Sequence, residues 1–157
     1  MVRAAFFDLD KTILDTSSNV ALSGPFIEAG LMNRRTAVAS VLVQLPYLLA
    51  GADESRMDQM AQALGRMGRG WNAAFLEATV EDALERTIQP VCYAQALARI
   101  EQHKRAGDIV VIASASVEQV VRPIAQMLGA DEVLASRAEV DDDGCFTGEI
   151  THFNQAQ

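Results

Sequence analysis

The chain opens with a short apolar run that ends abruptly in acidic residues. Ala4–Phe7 is continuously apolar, and Asp8-Leu9-Asp10-Lys11-Thr12 follows at once. An apolar run without alternation is typical of a central strand in a parallel sheet that is covered on both faces. Ligands bind at the carboxyl edge of such sheets. The pattern therefore predicts a first strand that delivers Asp8 and Asp10 to a ligand site.

The pattern then changes to helical spacing between residues 19 and 87, with several glycines and no convincing strand. We expect an all-helical insertion of several short helices. Its most apolar stretch, Thr36–Ala52, is interrupted by Gln44 and Pro46. A membrane-spanning helix needs about 20 apolar residues. The stretch is shorter, so we expect a buried helix and no membrane span.

The second half of the chain reads as helix, strand, helix. An amphipathic helix is predicted over Val91–Arg105, and a β-branched strand over Ile109–Ala113. Ser114-Ala115-Ser116 ends that strand, and Val117–Leu128 has helical spacing. A short third strand is predicted over Glu132–Ala135.

Beyond it, a hairpin follows, with Asp141–Gly144 as its turn. The order of elements indicates an α/β fold with a parallel sheet and right-handed crossovers. At 157 residues the chain has the size of one domain with a small insertion.

Charge and cysteine content narrow the possible partners and compartment. The chain has 13 basic and 21 acidic residues, a net charge of −8, which argues against nucleic acid as a partner. Cys92 and Cys145 lie far apart and give no framework for disulfides or a metal cluster. The N-terminus does not resemble a signal peptide. We therefore expect a cytoplasmic protein.

The acidic strand end is suited to phosphoryl transfer. Alternate residues of a strand point to opposite faces, so Asp8 and Asp10 share a site only if the chain leaves extended geometry there. Asp8 would then attack phosphorus, and Asp10 would act as general acid and base. Two adjacent carboxylates call for a cation, and Mg²⁺ held by Asp8 and Asp10 is the natural one. The alternative is a strand end capped by solvated carboxylates.

Two further positions are candidates for phosphate binding. Thr12 would hydrogen-bond a phosphoryl group or hold Asp10 in position. Ser114 follows the second strand, where its hydroxyl and the backbone N–H of Ala115 would bind a phosphoryl oxygen beside a helix N-terminus. A serine after an apolar strand is also commonly the N-cap of the next helix.

The sequence resembles the haloacid dehalogenase superfamily of phosphohydrolases. The first motif of that family, hhhDxDxT, is matched by Phe6–Thr12, and the second by Ile112-Ala113-Ser114. The position of the helical insertion and the stretch Val121–Gly148 resemble the phosphoserine-phosphatase-like branch. The resemblance implies a Rossmann-like core over residues 1–18 and 88–157, and a helical cap over residues 19–87.

The same resemblance implies a reaction and a set of roles. Asp8 would form the phosphoenzyme, Asp10 would be the general acid and base, and Ser114 would bind the phosphoryl group. Mg²⁺ would be held by the Asp8 carboxylate, the Asp10 backbone carbonyl and an acidic residue of a fourth motif. The substrate would be a small phosphorylated metabolite.

The resemblance is incomplete at the C-terminal end. The family's third-motif lysine and acidic fourth motif should follow Gly148, but the seven residues after Ile150 contain no lysine and no such motif. We therefore expect a truncated core with an open sheet edge. A phosphatase, a phosphotransferase using the same residues, and a non-catalytic regulatory or interaction protein all remain open.

The predicted cap offers a few candidates for substrate contact. Relatives specific for phosphoserine have an acidic residue where Ser17 stands, so phosphoserine is not the expected substrate. Trp71 follows Gly68-Arg69-Gly70, and either packs in the core or faces the substrate. Five arginines of this region are expected to be mostly solvated, although any of them could meet an anionic substrate: Arg34, Arg35, Arg56, Arg66 and Arg69.

Overall fold

The computed structural model of the chain describes residues 3–50 and 54–151. It contains four strands: β1 Ala4–Asp8, β2 Ile109–Val117, β3 Glu132–Val140 and β4 Phe146–Thr151. The helices of this part of the chain are α1 Ser18–Glu28, α2 Arg34–Ala50, α3 Glu54–Gly68, α4 Ala73–Ala83, α5 Ala94–Arg105 and α6 Glu118–Leu128. Tight helical turns cover Leu9–Ile13 after β1 and residues 84–91 before α5.

The strands form one sheet in the order β1-β2-β3-β4. The first three strands are parallel, and β4 returns antiparallel beside β3. The register pairs Asp8 with Ala113, so the end of β1 lies beside Ala113 and Ser114. β2 itself continues to Val117, four residues beyond its predicted end. This mixed sheet with its helices confirms the predicted α/β fold with a Rossmann-like core.

The position of β1 differs from the prediction of a central strand. In the described residues β1 pairs with β2 on one side and lies at the edge of the sheet. Exposure alternates along β1, with Ala4, Phe6 and Asp8 exposed and Ala5 and Phe7 partly buried, and Phe6 is 65% exposed. One face of the strand is therefore uncovered in the described residues, whereas the continuous apolar run predicted two covered faces.

Several element boundaries also differ from the sequence prediction. The helix predicted from Val91 begins at Ala94, because Gln89–Val91 forms a separate 3₁₀ turn. The strand β3 runs without interruption from Glu132 to Val140. The predicted third strand, Glu132–Ala135, and the first arm of the predicted hairpin are therefore one strand. The hairpin turn over Asp141–Gly144 is confirmed, and Asp141 Oδ1 accepts backbone hydrogen bonds from residues 143 and 145.

The region between β1 and α5 is helical, as expected. Backbone hydrogen bonds join it to Phe146 of β4, from Gly70 N to Phe146 O at 2.8 Å and from Phe146 N to Trp71 O at 2.9 Å. α4 packs against α6, and Arg122 of α6 forms an ion pair with Glu77 of α4 at 2.9 Å. α3 packs against β4. These contacts place α3 and α4 against β4 and α6, and the predicted cap over the site stays a prediction.

The helix α2 is less buried than predicted. Ala37 and Ser40 are buried, but Val38 and Leu42 are each 59% exposed. The last two residues of the predicted segment lie outside the described part of the chain. No described helix combines the length and apolar character that crossing a membrane would require.

Candidate active site

The segment after β1 leaves extended geometry, as the two aspartates require. Leu9–Ile13 forms a tight turn closed by a hydrogen bond from Leu14 N to Leu9 O at 3.0 Å. Leu9 and Ile13 are fully buried and fix the turn to the core. Lys11 has a left-handed backbone with φ of 60° and is exposed. The turn therefore removes the strict alternation that would separate Asp8 from Asp10.

Asp8 lies at the end of β1 and accepts a hydrogen bond at its Oδ2 from Thr12 Oγ1 at 2.9 Å. The residue as a whole is exposed, but its carboxyl group is partly desolvated by the surrounding turn. This desolvation raises the pKa of Asp8 above its usual value. The hydrogen bond from Thr12 lowers the pKa, and the negative charge of Asp10 raises it. Of the two expected roles of Thr12, holding Asp10 is replaced by a contact with Asp8, and a hydrogen bond to a phosphoryl group stays a prediction.

Asp10 joins three parts of the chain. Its Oδ1 accepts from the backbone N–H of Ser18 at 2.6 Å, at the start of α1. Its Oδ2 accepts from Ser114 Oγ at 3.1 Å, at the end of β2. Ser114 is 104 residues away in sequence. The structure therefore brings the two strand-end motifs into direct contact.

Ser114 is a buried link rather than a helix cap. It is 2% exposed, and its Oγ also accepts from the backbone N–H of Ser116 at 3.1 Å. The N-cap of α6 is Val117, which provides no side-chain hydrogen bond. The first N–H groups of α6 thus have no side-chain cap, an arrangement suited to anions. Ala115 lies between these residues, and its carbonyl accepts from Ser136 Oγ at 2.8 Å.

Ser18 and Ser116 belong to the site, and the sequence reasoning missed both. Ser18 is fully buried and its Oγ lies 3.3 Å from Ser116 Oγ. The available signal was a pair of serines, Ser17 and Ser18, just ahead of a helical segment. Ser17 is the N-cap of α1 and accepts from Val20 N at 3.2 Å. Ser18 is thus the first residue of α1, and its backbone N–H has no partner within the helix and binds Asp10 instead.

The charges at the strand end suit a hard cation. No ion pair of Asp8 or Asp10 with a basic side chain is found in the described residues. The same part of the chain contains no group of three histidine, cysteine or acidic side chains that would form a complete metal cage. Mg²⁺ prefers oxygen ligands, keeps several waters and often binds through one or two carboxylates. The donor set of Asp8 and Asp10 fits that pattern.

An apolar cavity of about 100 Å³ lies beside the two motifs. Asn19 of α1 and Ala115 and Ser116 of β2 form its side nearest Asp10. Most of the remaining wall is apolar and comes from α1, α3, α6 and β4, with these large side chains: Phe26, Leu64, Met67, Trp71, Val120 and Phe146.

Trp71 packs against the core and also lines the cavity, and its contact with a substrate stays a prediction. It is half-buried, packs edge to face on Phe26 with ring centroids 5.9 Å apart, and lines the cavity. Four of the candidate arginines are exposed, namely Arg34, Arg35, Arg66 and Arg69. The side chain of Arg56 lies outside the described residues.

Comparison with known proteins is consistent with this geometry. A family model described as haloacid dehalogenase-like hydrolase matches residues 5–156. A protein named inhibition of morphological differentiation protein from Streptomyces azureus is 44% identical over 150 residues, covering 96% of this chain and 54% of its own length. A probable phosphatase from Mycobacterium tuberculosis is also 44% identical over 150 residues, covering 96% of this chain and 52% of its own length.

Solved structures show the same fold. A protein of unknown function from Bordetella pertussis Tohama I has a TM-score of 0.77 at 25% identity, covering 96% of this chain and 67% of that chain. A phosphoserine phosphatase solved as a phospho-aspartyl intermediate analogue has a TM-score of 0.66 at 18% identity, and the match covers 96% of this chain and 63% of that chain. The chain spans about half the length of the curated relatives described above.

Proposed function

The chain belongs to the haloacid dehalogenase-like hydrolase family, and on that premise we propose that it is a phosphatase of a small phosphate monoester. The observation that carries the proposal is the position of Asp10, bound by Ser18 N at 2.6 Å and by Ser114 Oγ at 3.1 Å beside Asp8. These contacts hold one carboxyl group next to the proposed nucleophile. They support separate roles for the two aspartates.

The proposed reaction has two steps. An Asp8 carboxylate oxygen attacks phosphorus, and the bond from phosphorus to the ester oxygen breaks while Asp10 gives its proton to the departing alcohol. Asp10 then takes a proton from water, which attacks the aspartyl phosphate and releases inorganic phosphate and free Asp8. The raised pKa of Asp8 reflects desolvation of a carboxylate that the substrate phosphate would approach.

The remaining site residues bind and orient the phosphoryl group in this proposal. Thr12 holds Asp8. The Ser114 hydroxyl and the backbone N–H of Ala115 would bind the phosphoryl oxygens, for which the hydroxyl would have to turn from Asp10. The Asp8 carboxylate and the Asp10 backbone carbonyl would hold Mg²⁺, and the charge of the ion would offset the repulsion between the carboxylates and phosphate. Residues 1–18 and 88–157 form the core in this account, and residues 19–87 form the cap. We place the protein in the cytoplasm.

A second candidate function is a non-catalytic regulatory protein of the same fold. The observation that favours it is that no group of three metal-binding side chains is present in the described residues. Calorimetry with Mg²⁺ separates the two candidates. Binding that is lost in Asp8→Asn supports the phosphatase, whereas a folded chain that binds no Mg²⁺ supports the regulatory protein. Phosphoryl transfer to a second substrate uses the same residues and is detected as a phosphorylated acceptor.

The phosphatase proposal is tested by phosphate release from a generic phosphate monoester in the presence of Mg²⁺. The 157-residue chain and the product of its full reading frame are assayed side by side. Asp8→Asn should reduce release to background, and Asp10→Asn should reduce it about 100- to 10,000-fold, the usual contribution of general acid catalysis. Asp15→Asn, at an exposed position after the motif, is the control. Release that is independent of Asp8 would overturn the proposal.

A further inference from the structure

The contacts of Asp10 indicate where the leaving group of a substrate must lie. Its two oxygens are bound by Ser18 N and Ser114 Oγ. The next residues along the chain at these two places, Asn19 and Ala115, both line the apolar cavity. An alcohol oxygen that takes its proton from Asp10 would therefore lie near the part of the cavity wall that Asn19 and Ala115 form. The carbon skeleton attached to that oxygen would extend into the cavity.

The cavity wall selects the chemistry of that skeleton. Side chains of phenylalanine, leucine, methionine, tryptophan and valine dominate, and the described lining contains no lysine, arginine or histidine. A carboxylate or second phosphate in this space would be desolvated without a cation to pair with. Among the polar residues of the lining, Thr36 and Ser40 of α2 give neutral hydrogen bonds. Glu149 of β4 is the one ionisable residue of the described lining; it is exposed to solvent, and its charge disfavours an anionic group in the cavity.

The size of the cavity limits the skeleton as well. Its volume is about 100 Å³, and a dry apolar cavity of about 150 Å³ in another protein holds a benzene ring. A short branched alkyl chain or part of a single ring fills the space, and a larger group must reach out through the opening. The close approach of α3 to β4 closes the far side, since a Cβ on Gly65 would lie 2.6 Å from Gly148 O.

We propose that the substrate of this site is the phosphate monoester of an apolar alcohol, with a leaving group of short branched alkyl or single-ring size. The inference rests on the proposed phosphatase function and adds the class of its substrate.

The first test measures binding without any chemistry. Trp71 is the single tryptophan of the chain and lines the cavity, so its fluorescence reports occupancy. Titration with 3-methylbutanol and benzyl alcohol should give a saturable change in emission, and titration with L-serine or glycerol should give none. Free N-acetyltryptophanamide corrects for solvent effects. A folded protein whose Trp71 responds equally to serine, or does not respond to either alcohol, would overturn the inference.

Variants on α3 test whether the change in Trp71 emission comes from binding in the cavity. Ala61 is 6% exposed and lines the cavity, whereas Ala63 of the same helix does not line it. Ala61→Leu should weaken alcohol binding about tenfold or more by filling the space, and Ala63→Leu should leave binding unchanged. Leu64→Ala enlarges the cavity and should shift the preference toward longer alcohols. Equal effects of Ala61→Leu and Ala63→Leu, with no shift in Leu64→Ala, would contradict the assignment.

The second test compares turnover of esters. The ratio kcat/KM for 3-methylbutyl phosphate or benzyl phosphate should exceed that for phosphoserine and glycerol phosphate by about tenfold or more. Asp8-dependent hydrolysis with the opposite preference would overturn the substrate class and leave the phosphatase proposal standing. Saturable binding of alcohols to a protein that hydrolyses no ester would overturn the phosphatase proposal, and the substrate assignment with it.

Discussion

Thr12 donates a hydrogen bond from its Oγ1 to Asp8 Oδ2 at 2.9 Å, within the first turn after β1. The bond opposes two effects that disfavour a charged Asp8, which are desolvation of the carboxyl group and the nearby charge of Asp10. Desolvation is the largest of the three, so the pKa of Asp8 remains raised. The fold therefore keeps a carboxylate at a position where ionisation costs stability.

Asp8→Asn should make the protein more stable at pH 7. A raised folded pKa means that the fold favours protonated Asp8, and this stabilisation is complete below pH 3.8 and lost as pH rises through the folded value. The neutral amide of the variant keeps this stabilisation at all pH values. Urea unfolding should give the variant a higher free energy of unfolding than the wild type at pH 7, and an equal value near pH 3. A variant that is less stable at pH 7 would contradict this reasoning.

Lys11 should tolerate glycine much better than a β-branched residue. Its φ of 60° is in the left-handed region, which costs a non-glycine residue about 1–2 kcal/mol. Lys11→Val should lower the free energy of unfolding by at least about 1 kcal/mol relative to Lys11→Ala, since branching at Cβ adds crowding. Lys11→Gly should match or exceed Lys11→Ala in chemical denaturation. Equal stability of all three variants would mean that the turn relaxes in solution.

Gly65→Ala should destabilise the contact between α3 and β4. A Cβ at residue 65 would meet the carbonyl oxygen of Gly148 at 2.6 Å, so the helix or the strand must move. We expect a loss of about 1–3 kcal/mol in the free energy of unfolding. Gly68→Ala on the same helix is the control, because its Cβ would meet its nearest neighbour, Trp71, at 3.9 Å. Comparable losses in the two variants would refute the close approach.

Asp108→Asn should destabilise the protein at pH 7 but not in acid. Hydrogen bonds from His103 Nδ1 at 2.8 Å and from Arg3 Nε at 3.0 Å lower the pKa of Asp108, with the histidine contributing most. The stabilisation is then present above pH 3.8 and lost as pH falls through the folded value. Thermal unfolding should give the variant a lower Tm than the wild type at pH 7, and the two Tm values should be equal near pH 2. A difference that persists in acid would point to packing instead.

Much of this arrangement was predictable from the sequence, because the relevant signals are local. The apolar run before Asp8 and the run before Ser114 each predicted a strand that ends in chemically useful residues. Parallel strands place such ends at one edge of a sheet. The contact of Asp10 Oδ2 with Ser114 Oγ follows from that rule together with the register that pairs Asp8 with Ala113.

Other features depend on contacts between distant segments and left no local pattern. The backbone N–H of Ser18 reaches Asp10 because α1 starts beside the turn, and a backbone donor has no sequence signature. The edge position of β1 depends on which strands pair with it. The apolar cavity is assembled from five helices and three strands of the described residues, and the spacing of apolar residues in each helix is the same whether its side chains fill a core or line a cavity.

The central claim is that Asp8 accepts the phosphoryl group, and chemical trapping measures this directly. The protein is mixed with Mg²⁺ and a phosphate monoester, quenched in acid and reduced with borohydride, which converts an aspartyl phosphate into homoserine. Peptide mass spectrometry should then find homoserine at residue 8, dependent on substrate and absent from Asp8→Asn. Phosphate release without modification of residue 8, or modification at another residue, would contradict the account.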